Sequence, residues 1–269
     1  MLAIVNWAAG WPGRITLALT LLGLNPFSLV AWAGDSDAAI TRFATHSQER
    51  FAAAQRRLQA EPTNAVAAWE FGRASFDRAE YATNDTERAA LAEKGIAACR
   101  KVLASDPRSA PAHYYLSMNL GQLARTKILG ALRIVDEMER EFKAARVLDE
   151  QFDFAGPDRF LGQLYLQAPP IASVGDRTKA KKHLERAVEL SPDYPENRLN
   201  LAEAYWGWSD QNWRRELQAL EKLWPQARTN FAGQVWEASW ADWQKRLDRL
   251  RRNAGEPVKP APPPSNKSD

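Results

Sequence analysis

The sequence predicts an all-α protein, an α-solenoid of about four irregular helix pairs with a capping helix at each end. Three observations predict it. Apolar residues recur at helical spacing, as in Ile40, Phe43, Phe51 and Leu58. A large residue followed at once by a small one recurs at Phe71-Gly72, Leu116-Ser117, Leu161-Gly162 and Leu201-Ala202. Prolines at Pro62, Pro107, Pro192 and Pro225 punctuate the chain between these segments. No sheet is expected.

The first 33 residues differ in kind from the rest. Arg14 is the charged side chain there, and an apolar run from Ile15 to Val30 ends in Ala31-Trp32-Ala33. A positive start, an apolar centre and a small-x-small end make a secretory signal, with cleavage before Gly34 and a periplasmic mature protein. An uncleaved membrane anchor is the alternative, since the run nearly suffices to span a bilayer. Asn25-Pro26 interrupts the run and favours the cleaved signal. The expected organisation is a signal peptide over 1–33, a helical domain over 34–252 and a disordered Pro- and Lys-rich tail over 253–269.

Ser36 to Ala60 reads as an opening helix that caps the first repeat. Four helix pairs follow, starting near Ala65, Ala110, Ala155 and Pro195. The second helix is clearest in the third pair, where Ala180, Leu184 and Ala187 precede Pro192. Small residues let paired helices approach, and large ones fill the space between pairs. In the fourth pair the second helix runs from Trp213 to Trp224 and is expected to stop at Pro225. Thr229 to Arg252 reads as a closing helix, because an end repeat would otherwise expose an apolar face. The spacing is uneven. Extra residues fall around Glu80 to Glu87, near Gly130, and in Leu166 to Val174.

These offsets match the tetratricopeptide unit, a helix pair of about 34 residues with large and small residues at fixed places. By resemblance to that family, the second, fifth, ninth and twelfth residues of each first helix face a concave binding groove. Here they include Trp69, Tyr114, Arg159 and Leu199 at the fifth place, Arg73, Met118, Gln163 and Glu203 at the ninth, and Phe76 and Trp206 at the twelfth. Aromatics with a few charges suit a peptide or small-ligand groove. Packing against neighbouring helices is an equal reading for Trp69 and Trp206. Arg159 follows Gly156-Pro157, a rigid turn, and either orients an anionic group or pairs with Asp158 or Glu150.

A longer stretch carries a narrower resemblance. Gly156-Pro157-Asp158-Arg159-Phe160-Leu161-Gly162, then Ala168-Pro169, Gly175-Asp176 and Pro192 to Arg198, are similar to the T-component family associated with TRAP-type transporters. The similarity spans about Pro107 to Pro225. It implies a helical periplasmic protein that passes a small organic ligand to a substrate-binding partner protein. The cysteine of lipid-anchored members is missing here. The alternative is a protein–protein adaptor of the cell envelope.

Several chemistries are not expected. With 36 Lys+Arg against 33 Asp+Glu, the chain lacks the one-sided charge of a nucleic-acid binder. No nucleophile, metal or phosphate-loop motif is present, so neither an enzyme nor a cofactor is expected. His46, His113 and His183 stand in separate helices and read as surface or groove histidines. Asp136, Glu137, Glu139 and Glu141 read as a solvated, salt-bridged face with Arg133 and Arg140. Cys99, the single cysteine, reads as a buried small apolar residue. Seven of the 11 tryptophans lie between Trp206 and Trp243, and Trp236, Trp240 and Trp243 share a helical face. They form the core of the closing helix, or else a lid or partner surface.

Overall fold

A computed structural model describes residues 30–127, 130–170 and 173–255. The apolar run up to residue 29 and the tail from residue 256 lie outside the described residues. Among the described residues the regular structure is helical, with no strand. Nor is any of these helices long and apolar enough to cross a membrane.

The chain divides into two compact units. The first runs to Asp149 and includes Pro169–Val174. Its helices are α1 (Val30–Ala60), α2 (Ala65–Ala79), α3 (Asp85–Ser105), α4 (Ala110–Ala124) and α5 (Ala131–Leu148). The second is Glu150–Ala168 with Gly175 onward. It holds α6 (Phe152–Gln167), α7 (Arg177–Leu190), α8 (Pro195–Gly207), α9 (Asn212–Asn230) and α10 (Glu237–Ala254). Helices pair as the repeat pattern requires: α2 with α3, α4 with α5, α6 with α7 and α8 with α9. The first helices start at Ala65, Ala110 and Pro195 as expected, and α6 begins three residues before Ala155.

Local chemistry sets many of the starts. The Asn64 side chain accepts from the backbone N–H of Val66 and Ala67 and begins α2. Asn84 accepts from Glu87 N–H, and Glu87 reaches back to Thr83 N–H, a reciprocal cap for α3. Those bonds, with Arg78 beside it, hold the Glu87 carboxyl below its usual range. Asp176 caps α7 through Lys179 N–H. Gly130, at φ +82°, turns the chain into α5 with backbone that most side chains disfavour.

The small residues sit where close approach demands them. A Cβ on Gly72 would run into Cys99 Sγ, and one on Gly162 would come within 2.7 Å of Leu184. Gly72 and Gly162 hold the eighth place of their repeats in α2 and α6, and Cys99 and Leu184 hold matching places on α3 and α7. Cys99 is fully buried, and burial pushes its thiol up to about 12. Ser117, at the same place in α4, donates to the Met138 carbonyl of α5 at 2.9 Å.

A second recurrence lies one residue before that core position. In three repeats the fourth place of the repeat meets the residue preceding Phe142, Leu184 or Leu217 on the partner helix. These are polar contacts: hydrogen bonds His113–Glu141 at 2.6 Å and His183–Asp158 at 2.6 Å, and the ion pair Arg198–Glu216 at 2.9 Å. In the first repeat these places are Ala68 and Ala98, both buried, each in its own apolar cluster. His113 and His183 are therefore half-buried interhelix partners, where the sequence suggested surface or groove positions. Glu141 leaves the solvated acidic face of α5 for the same reason, while Glu137 and Glu139 keep their surface cations.

Several boundaries differ from expectation, and the opening helix α1 starts at Val30 rather than Ser36, before the expected cleavage point. The helix expected to end at Trp224 runs through Pro225 to Asn230. Proline removes one backbone hydrogen bond, but buried Leu220 and Ala227 anchor α9 on both sides of it. The closing helix starts at Glu237, after a turn at Gly233 and a single 3₁₀ turn, Gln234–Trp236. Of the insertion at Glu80 to Glu87, residues 80–84 form turn and loop and α3 begins at Asp85; α3 has 21 residues against 14 in α7.

Candidate functional site

In the first unit, α2 presents Val66, Trp69, Arg73 and Phe76, the second, fifth, ninth and twelfth residues of the repeat. Val66 is 44% exposed. Trp69 and Phe76 are half-buried. The Arg73 side chain is 42% exposed and stands 3.9 Å from Asp77, which also faces Arg50. Trp69 is held flat. Its ring stacks parallel on Tyr115 of α4 with centroids 5.8 Å apart. Tyr115 in turn meets Tyr114 edge-on, and Tyr114 meets Phe142 of α5.

The matching residues of α4 are different. Tyr114 is fully buried and Met118 is 3% exposed. Most of α4 is covered, including polar Asn119 and Gln122. Asn119 donates to the carbonyls of Gly72 and Tyr115. Gln122 donates to Glu80, which also pairs with Arg125 at 3.2 Å. Burial raises the Glu80 carboxyl above its usual range against the pull of Arg125, and burial pushes the neighbouring Tyr81 phenol up to about 12. The sequence reading missed this network. Its signal was two amides, Asn119 and Gln122, in an otherwise apolar helix.

In the second unit, Arg159 is 2% exposed and serves the fold. Asp153, Phe154 and Ala155 all take left-handed backbone, with φ of 51°, 56° and 61°. Left-handed backbone costs L-residues roughly 1–2 kcal/mol each. The turn is held by one guanidinium. Arg159 Nη1 donates to the Phe154 carbonyl at 2.9 Å and to Asn197 Oδ1 at 3.2 Å. Its Nη2 donates to the Asp153 carbonyl at 3.1 Å and to Asp153 Oδ2 at 3.0 Å. Asn197 ties the same turn to the end of α7 through the carbonyls of Phe154, Ala187 and Ser191. The carboxylate facing Arg159 is thus Asp153; Asp158 faces His183, and Glu150 faces Arg186. Gly156-Pro157 was the visible turn signal, but the left-handed residues precede it and none is glycine.

Glu203 of α8 is covered by the closing helix, where Arg246 and Arg249 pair with it. Burial works to raise its carboxyl, yet the two cations hold it below the usual range. Gln163 is half-buried and accepts from Gln167. Trp206 is 47% exposed. Trp240 and Trp243 are buried, and Trp240 donates to the Phe231 carbonyl at 2.6 Å, so these rings form the core beneath α10. The eight expected site residues divide between the units. Trp69, Arg73, Tyr114 and Met118 belong to the first; Arg159, Gln163, Glu203 and Trp206 belong to the second. Trp206 and the Arg73 side chain are open to solvent, Trp69 is half-buried against Ala68, Val102 and Ala112, and Tyr114, Met118 and Arg159 are packed inside. Among the described residues, no three His, Cys, Asp or Glu side chains are grouped to hold a metal.

The structure resembles the crystal structure of a thermophilic TPR protein from Thermus thermophilus. The TM-score is 0.52 at 19% identity, covering 83% of this chain and 94% of that one. The fold is that of tetratricopeptide-type helix pairs. A family model described as regulator of microtubule dynamics protein 1-3 matches residues 34–131, α1 to the start of α5. No curated protein matches the sequence.

Proposed function

We propose that the chain is a non-catalytic adaptor that docks a protein partner on the exposed face of α2. The observation that carries this reading is the set Val66, Trp69, Arg73 and Phe76. These residues stand at the four groove places of one repeat, and Tyr115 holds the Trp69 ring flat beneath them. A rigid ring with a nearby guanidinium is a common anchor of protein interfaces. The match over residues 34–131 to a family named for regulating microtubule dynamics supports an adaptor role for this unit.

The Gly156 to Gly162 and Gly175-Asp176 pattern supports a narrower version. In it the adaptor serves a TRAP-type transport system in the periplasm and engages a substrate-binding protein or its small organic ligand. The apolar run with Ala31-Trp32-Ala33 supports export, and the family match begins at residue 34, the first residue of the expected mature chain.

The test is site-directed photo-crosslinking in cells from Val66 and Trp69, with partners identified by mass spectrometry. The expected result is one dominant partner crosslinked at both positions and lost on Arg73→Glu, while the melting temperature stays unchanged. Crosslinks to no protein, or a crosslink pattern indifferent to Arg73→Glu, would sink the reading.

A further inference from the structure

The second unit carries an exposed aromatic surface over the buried Arg159. Phe154 is the middle residue of the left-handed turn, and that backbone directs its ring outward. The ring stacks on Tyr194 at 4.6 Å and meets Phe231 at 5.4 Å and Trp236 at 6.0 Å, edge-on. It is still 38% exposed. Trp236 is half-buried, and Val235 beside it is 52% exposed. The turn before α10 thus adds its apolar side chains to the same surface.

Acidic side chains border the surface, and two buried cations, Arg159 and Arg246, face Asp153 and Glu196 from within. Asp153 adjoins Phe154, Glu196 Oε2 stands 3.3 Å from the Tyr194 hydroxyl, and Glu237 follows Trp236. The cation against the Tyr194 ring is Arg159. It is buried, lies 5.0 Å from the Tyr194 centroid, and is engaged by Asp153 and the turn carbonyls. Burial, then Glu196, pushes the Tyr194 phenol well above its ordinary value. Local strain of this kind collects where a fold presents a side chain for recognition. Here it faces an aromatic ring to solvent inside an acidic rim.

We propose that Phe154, Trp236 and Val235 form a docking surface for a basic, apolar peptide segment of a partner protein. The aromatic faces attract a lysine or arginine by cation–π contact, and the rim carboxylates set the sign of the partner's charge. The same rim disfavours nucleic acid and anionic lipid. The surface is independent of the α2 face, so either can fail alone.

The test uses the full chain and two fluorescein-labelled synthetic peptides, read by anisotropy. One alternates Lys and Leu around a central Trp; the other replaces every Lys with Glu. The Lys peptide is expected to bind at least about tenfold more tightly than the Glu peptide, and more weakly at high salt. Phe154→Ala and Val235→Lys should each weaken it by about fivefold or more, while Trp69→Ala leaves it unchanged. Val235 is exposed, so Val235→Lys decides the matter if Phe154→Ala does not fold. Equal affinity for the two peptides, no binding of the Lys peptide, or indifference to Val235→Lys overturns the proposal. Self-association in sedimentation that Val235→Lys abolishes also overturns it, and identifies a second copy of the chain as the occupant.

Discussion

Arg159 shows how one residue type supports two opposite readings. Its place in the repeat and the preceding Gly-Pro suggest a guanidinium offered to a ligand. In the fold it is buried and donates to Asp153, Phe154 and Asn197. Its removal strands the Asp153 carboxylate and releases a backbone turn that is costly by itself. Arg159→Ala is expected to lower stability by about 3 kcal/mol, in the range for breaking a buried, hydrogen-bonded charge pair. Urea denaturation checks this. A loss below about 1 kcal/mol would mean that the turn holds without the guanidinium. Arg159→Lys should recover little, because a point charge cannot match a fork that bonds two carbonyls, an amide oxygen and a carboxylate.

Between paired helices, three repeats place a polar contact where the first has two alanines. His113 faces oxygen from both ring nitrogens, Glu141 at Nδ1 and the Pro107 carbonyl at Nε2. Glu141 is 9% exposed, so losing His113 leaves its largely desolvated carboxylate with the longer Arg140 contact at 3.4 Å. His113→Ala is expected to cost about 2–3 kcal/mol. Adding Glu141→Ala should return at least about 1 kcal/mol of that, because the buried carboxylate that lost its closest partner is then gone. A double-mutant cycle in urea measures the coupling. Strictly additive losses would show that the contact contributes nothing beyond packing. The recurrence was hidden in the sequence because the sign reverses, with the acid on α5 and α9 but on α6 in the third repeat.

For the molecule as a whole, the described residues form two compact helical units, and the compartment turns on the segment before them. With a cleaved signal, N-terminal sequencing of protein purified from the cell envelope should begin at Gly34. A retained Met1 would favour a membrane anchor instead. The adaptor reading in the first unit and the peptide surface in the second make separate demands on partners, so each can be tested in the intact chain.

The sequence alone determined the fold class, the four helix pairs, three of their four starting residues, the close approach at Gly72 and Gly162, and the burial of Cys99. All of these follow from local periodicity and from steric size at fixed offsets, which a linear chain displays openly. The groove was legible only in part. Trp69, Arg73 and Trp206 came from repeat register and reach the surface, but the same register pointed to Tyr114, Met118 and Arg159, which are packed inside. Register gives the direction a side chain takes from its helix, not what lies in that direction. Only the tertiary structure decided that α10 covers Glu203, that buried neighbours carry α9 through Pro225, and that a left-handed turn without glycine turns Phe154 outward. Each depends on contacts between residues far apart in the chain, where a neighbour's hydrogen bonds or buried area outweigh the local preference of the backbone.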